Sequence, residues 1–64
     1  MARLAEIKNA GSPGIAARTV YLNPVHVVMV EPITGGTRIT MDDETVFQTT
    51  EAPADIVGAI QNSM

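Results

Sequence analysis

An almost entirely apolar run at residues 25–31, an alternating run at 37–41 and a β-type run at 45–50 predict three short strands separated by two turns. Gly35 and Gly36 supply the positive φ angles that a tight hairpin needs, and the acidic residues 42–44 form a second polar turn. Consecutive strands joined by such short turns pair antiparallel. We therefore predict a three-stranded meander, whose strands span residues 25–31, 37–41 and 45–50.

The first third of the chain adds one or two further elements. Residues 15–22 alternate as a strand, whereas residues 1–10 have an apolar spacing that suits a short helix or another strand. If residues 1–10 form a strand, the turn sequence at residues 11–14 joins the two strands as a hairpin. Asn23-Pro24 then predicts a corner, because the proline ring biases Asn23 away from helix and lacks an amide hydrogen.

The end of the chain predicts a helix at residues 53–62. Pro53 suits the first helical position, and Asp55 faces the positive end of the helix dipole. Apolar side chains then form a stripe that would cover one side of the sheet, and residues 61–64 are expected to fray. The stripe consists of Ile56, Val57 and Ile60.

These elements predict one mainly β (α+β) domain over residues 1–64. The expected architecture is a small antiparallel sheet, or an SH3-like or Sm-like barrel, of four to five strands with one C-terminal helix.

The size of the chain and the strand at residues 25–31 both favour self-association. A domain of 64 residues buries only ~60% of the surface of its unfolded chain, and without cysteine no disulfide can add stability. The strand is apolar on both faces, so both faces need a cover. The cover is either a second subunit or the curled sheet and helix of the same chain. The predicted interface residues are Val25, Val27, Val28, Met29 and Val30.

Charge and composition exclude several classes of function. Seven acidic residues outnumber four basic ones, and only two residues are aromatic. General nucleic-acid binding is therefore not expected. No apolar run is long enough for a membrane helix, and without an apolar signal segment we expect a cytoplasmic protein. We find no set of nucleophile, base and orienting group, so we expect neither catalysis nor a cofactor.

A small anionic ligand is the remaining site chemistry that the sequence permits. Arg18 and Arg38 carry guanidinium groups suited to phosphate or carboxylate, with Tyr21 and Asn23 as further lining. His26 is expected to be an ordinary strand or interface residue, since no second histidine accompanies it as a metal ligand. The acidic residues 42–44 are expected to form a solvated turn, and no metal site is predicted.

Residues 21–60 also resemble the small flagellar FlbD/SwrD-like family. The resemblance rests on a Leu-Asn pair before a strand that ends in Val-Glu, on a following Thr-x-Ile-Thr strand, and on a strand that leads through glutamate into a helix. It implies a small antiparallel β fold and a noncatalytic accessory protein that acts through contacts, of bacterial or phage origin. The matching residues are Leu22, Asn23, Val30, Glu31, Thr37, Ile39, Thr40, Met41, Phe47, Glu51 and Ile60.

The sequence therefore favours an oligomeric interaction module that binds another protein through a sheet edge or an apolar strand. A protein that binds or sequesters a small nucleotide signal between subunits is the alternative.

Overall fold

The computed structural model describes residues 4–63, which form five strands and one α-helix. The predicted mainly β fold with a C-terminal helix is confirmed. Residues 1–10, for which the sequence allows either a helix or a strand, form a strand from Ala5 onward. Residues 1–3 and Met64 lie outside the described residues. The elements are β1 (Ala5–Ser12), β2 (Ile15–Leu22), a 3₁₀ turn (Pro24–His26), β3 (Val27–Ile33), β4 (Gly36–Met41), β5 (Val46–Thr49) and α1 (Pro53–Asn62).

The strands form one antiparallel sheet in the order β2-β1-β5-β4-β3, so β2 and β3 are its two edges. A flat sheet of five strands would hold its edge strands ~19 Å apart. Asn23 and the 3₁₀ turn join these two edges directly, and a connection of that length spans at most ~18 Å when fully extended and less when part of it is a 3₁₀ turn. The sheet must therefore curl, although no ladder within residues 4–63 joins β2 to β3 and closes it.

The core lies between the curled sheet and α1. Ile56 is fully buried against the sheet, and Ala59 and Ile60 of the next turn pack beside it. The predicted apolar stripe is wrong at Val57, which is exposed because it is rotated away from the face that carries Ile56, Ala59 and Ile60. Residues 61 and 62 complete the helix rather than fray. The buried core residues are Ala5, Ile7, Ala10, Leu22, Ile39 and Ile56.

A bulge in β1 determines which of its side chains reach the core. Ile7 pairs with Val20 and Ala10 pairs with Arg18, so β1 has one residue more than β2 between these pairs. Asn9 takes up the extra residue with φ 56°. Because of the bulge, Ile7 and Ala10 both face the core although they are three positions apart.

The strand β3 differs from the prediction in extent. It begins at Val27 instead of residue 25, because Val25 belongs to the 3₁₀ turn, and it continues to Ile33. Its register to β4 shifts between Val27 and Met29, so Val28 is the extra residue of a second bulge. Val27 and Val30 consequently both pack against the core, whereas Val28 and Met29 are exposed.

The two predicted hairpin turns are present, but the two glycines of the first turn have different roles. Gly35 has φ 83°, a conformation that glycine adopts without steric cost. Gly36 does not share the positive φ angle predicted for it; a Cβ atom there would lie 1.9 Å from the carbonyl oxygen of Thr49. Glycine at position 36 therefore allows β4 and β5 to approach each other.

Candidate functional site

The structure brings together two of the four residues predicted to bind a ligand. Tyr21 and Asn23 line a concavity of about 460 Å³ where the end of β2 and the 3₁₀ turn face the turn between β4 and β5. Arg18 and Arg38 do not line this concavity. The predicted ligand residues therefore do not form one site in a single chain.

Arg38 pairs with a carboxylate of its own chain. It lies directly opposite Glu31 on β3, and its Nε donates a hydrogen bond to Glu31 Oε1 at 2.7 Å. The hydrogen bond to Glu31 and the attraction of its charge raise the pKa of Arg38 above its ordinary value. Cross-strand ion pairs are a common feature of sheets, and in this half-exposed pair the guanidinium of Arg38 is engaged by a carboxylate of its own chain.

Arg18 lies on the exposed edge strand β2. Its Nη1 donates one long hydrogen bond, 3.5 Å, to the carbonyl oxygen of Ala16. It is the one charged residue of β2. Arg18 is thus a cation on the sheet edge and well placed to contact another molecule.

The concavity has an apolar floor and a polar rim. Leu22, Met41 and Phe47 supply the floor, and these side chains are buried or half-buried. Phe47 and Tyr21 are the only aromatic residues of the chain, and both line this concavity. The remaining lining residues form the rim, which consists of Tyr21, Asn23, His26, Asp42, Asp43 and Thr45.

His26 connects the two sides of the concavity. Its Nδ1 lies 2.7 Å from Oδ2 of Asp42, and its carbonyl oxygen accepts a hydrogen bond of 2.8 Å from the amide of Asp42. Both side chains are 53% exposed, so solvent screens the pair. Within residues 4–63, no group of three His, Asp or Glu side chains is placed to hold a metal ion.

Two local hydrogen bonds, each from a backbone amide to the side chain two residues before it, fix the conformation of the rim. Oδ1 of Asn23 accepts a hydrogen bond from the amide of Val25 at 3.1 Å and thereby caps the 3₁₀ turn. Oδ1 of Asp43 accepts one from the amide of Thr45 at 3.0 Å. Hydrogen bonds to the side chain and to the amide of Thr45 lower the pKa of Asp43, so its carboxylate is ionised at neutral pH.

The predicted interface residues separate into two groups. Val27 and Val30 are half-buried against the chain's own core. Val25, Val28 and Met29 are 72%, 66% and 45% exposed. We call these three residues the β3 apolar patch. They lie within five consecutive positions at the corner where the 3₁₀ turn enters β3.

The two sheet edges differ in how easily another strand could pair with them. The β3 edge contains the bulge at Val28 and Pro32, which has no amide hydrogen to donate. The β2 edge contains no proline, and its pairing to β1 is regular from Val20 to Leu22 and irregular nearer the hairpin turn. Backbone pairing with a further strand is therefore easier at β2.

Comparison with known proteins gives no relative for this chain: no protein-family model, curated protein or solved structure matches it. Within residues 4–63, the structure contains no helix with the length and apolar character needed to cross a bilayer.

Proposed function

We propose that this chain is a noncatalytic interaction module that assembles with itself and binds a further protein. The observation that carries the proposal is the β3 apolar patch, in which three large apolar side chains within five consecutive positions are exposed to solvent. Exposed apolar side chains that cluster are typical of contact surfaces. The resemblance to FlbD/SwrD-like accessory proteins supports the same class of function.

The proposed occupant of the patch is a second copy of the chain. The buried core consists of Ala, Ile and Leu side chains and contains no fully buried aromatic ring among the described residues. A domain of this size gains little stability from such a core, and self-association is a common supplement. The β3 apolar patch is suited to side-chain contact, since the bulge and Pro32 oppose continuous strand pairing on that edge.

The β2 edge is the surface we propose for the further protein. An extended segment could add to this edge by backbone hydrogen bonds, and Arg18 would favour a segment with a carboxylate opposite it. The nucleotide-binding alternative has less support, because the one concavity that gathers Tyr21 and Asn23 has two aspartates at its rim and neither arginine.

Self-association can be tested by native mass spectrometry and light scattering on the full chain. We expect an oligomer for the unmodified protein and a monomer for the double variant Val28→Lys, Met29→Lys, because charges on the patch would have to be desolvated on contact. The control is Val57→Lys, which places one lysine charge on an exposed valine of α1, away from the patch.

The control variant should keep the oligomer, and circular dichroism should show that all variants are folded. A monomeric unmodified protein at high micromolar concentration would overturn the proposal. If the double variant is still an oligomer, the β3 apolar patch is not the contact surface between copies.

A further inference from the structure

The concavity beside β2 gathers most of the distinctive side chains of this chain. Both aromatic residues and the one histidine line it. A site with an apolar floor and a few convergent polar groups has the usual composition of a small-molecule pocket, and its volume of about 460 Å³ lies within the usual range. It borders the end of the β2 edge, because Tyr21 and Leu22 of β2 line it.

The charges at the rim determine which ligands this pocket could hold. The carboxylates of Asp42 and Asp43 both line it, and no lysine or arginine does. His26 contacts Oδ2 of Asp42, while Oδ1 of Asp42 has no hydrogen-bond partner among residues 4–63. An anion would meet repulsion here, whereas a positively charged group with N–H donors would find acceptors.

The aromatic rings favour the same class of ligand. Tyr21 lines the pocket and is 61% exposed, and its hydroxyl donates a hydrogen bond to Oε2 of Glu6 at 3.4 Å. A cation within ~6 Å of a tyrosine ring is attracted by the negative face of the ring. Phe47, Met41 and Leu22 below it offer contact to methylene groups, which a long aliphatic cation carries next to its charge.

We propose that this pocket binds an organic cation with N–H donors on a short aliphatic chain, that is, a primary ammonium or guanidinium compound. The carboxylates accept hydrogen bonds from the cationic group, the Tyr21 ring contacts its face, and the apolar floor covers the chain. The inference does not depend on self-association, because the β3 apolar patch does not line the pocket.

The first test is a titration of the isotopically labelled full chain with agmatine, followed by amide chemical shifts in NMR. We expect saturable shifts at residues 21–26 and 41–47, and no such shifts with sodium chloride at equal ionic strength or with butyrate. Acetyl-arginine amide, titrated in parallel, represents an arginine side chain of a protein. Tighter binding of agmatine would indicate a free metabolite as the source of the cation. Tighter binding of acetyl-arginine amide would indicate an arginine side chain of a protein.

Isosteric variants test the carboxylates. We expect Asp42→Asn and Asp43→Asn each to weaken agmatine binding about tenfold, since each loses one charge-assisted contact. Asp55→Asn removes the same charge from the exposed first turn of α1 and should leave the affinity unchanged. The titration is repeated with the double variant Val28→Lys, Met29→Lys. Equal agmatine affinity in this variant would show that binding does not depend on the oligomeric state.

Three results would overturn the inference. The first is linear, unsaturable shifts that sodium chloride reproduces. The second is an equal loss of affinity in Asp55→Asn, which would indicate a general effect of net charge. The third is binding of butyrate in place of agmatine. The titration of the unmodified protein decides the question even if a variant fails to fold.

Discussion

Two non-glycine residues in the described range 4–63 hold positive φ angles, and they differ in how well they tolerate this conformation. Asn9, in the bulge of β1, has φ 56°, and Glu44, in the turn between β4 and β5, has φ 72°. Asparagine adopts the left-handed region comparatively often, whereas a glutamate there is strained by contact between its Cβ and the backbone. The turn at Glu44 is therefore a place where the present sequence is not optimal for stability.

We predict that Glu44→Gly stabilises the fold by about 0.5–1 kcal/mol, since relief of the left-handed strain exceeds the entropy that glycine adds to the unfolded chain. The control is Glu44→Ala, which removes the charge of the exposed side chain and keeps the Cβ atom. Urea denaturation measures both variants. An equal gain in Glu44→Ala would show that charge, and not backbone conformation, is responsible.

Gly36 presents the opposite case, in which the present residue is the one that fits. A Cβ atom at this position would lie 1.9 Å from the carbonyl oxygen of Thr49, which belongs to the backbone of β5. We predict that Gly36→Ala destabilises the fold by about 2 kcal/mol or more, because two strands must separate.

Gly11→Ala is the matched control for Gly36→Ala. Its added Cβ would meet its nearest neighbour, the Ile15 carbonyl oxygen, at 3.5 Å, which is an ordinary contact. Thermal denaturation of both variants tests the difference. Comparable losses would contradict the role of Gly36 in the approach of β4 to β5.

Among the elements, the turns and strand positions could be predicted from the sequence. Pro13-Gly14, Asn23-Pro24 and the acidic run before Thr45 are short-range signals that act through the φ preferences of their own residues. The structure confirms β2 over the predicted range, and it confirms α1 from Pro53. Such signals are local, so they predict a turn without knowledge of the rest of the fold.

The bulges could not be predicted, and they determine which side chains face outward. A strict two-residue alternation would place Val28 and Val30 on the same face, but the bulge exposes Val28 and leaves Val30 on the core. Whether a strand takes up an extra residue depends on how its partners pack. The sequence therefore indicated the apolar run and missed which part of it is free.

The candidate site shows the same limit at longer range. The sequence predicts Tyr21 and Asn23 as ligand-lining residues, and both line the concavity; Phe47 and Asp42 join them there through the curl of the sheet. Arg38, another predicted ligand residue, pairs with Glu31, and this pairing is set by the register of β3 to β4. Register is a tertiary property, and one sequence alone does not specify it.

The start of α1 offers a prediction for an element. Ala52 is the N-cap residue, and it has the extended conformation of a cap but no side chain that accepts a hydrogen bond. We predict that Ala52→Ser stabilises the protein by ~1 kcal/mol by capping a free amide of the first turn. Ala54→Ser, inside the first turn, should give no gain. Chemical denaturation compares the two, and equal gains would contradict the capping explanation.

The whole molecule combines a small core with an exposed apolar surface. Its fully buried side chains are few and of modest size, and its net charge of −3 adds a weak repulsion between copies. Burial of the β3 apolar patch against a second copy would move that surface from water into a contact. If this occurs, the stability of the fold and the extent of assembly are one linked equilibrium.

This linkage gives a prediction for the intact protein. For a dimer that unfolds to separate chains, each tenfold increase in concentration raises the free energy of unfolding by about 1.4 kcal/mol per mole of dimer. We therefore expect the thermal midpoint to rise over a hundredfold range of concentration, and to be independent of concentration in Val28→Lys, Met29→Lys. Calorimetry at the high concentrations and circular dichroism at the low ones cover that range. A midpoint that stays constant in the unmodified protein would mean that the 64 residues reach their stability within one chain, and the exposed valines and methionine would then contribute nothing to folding.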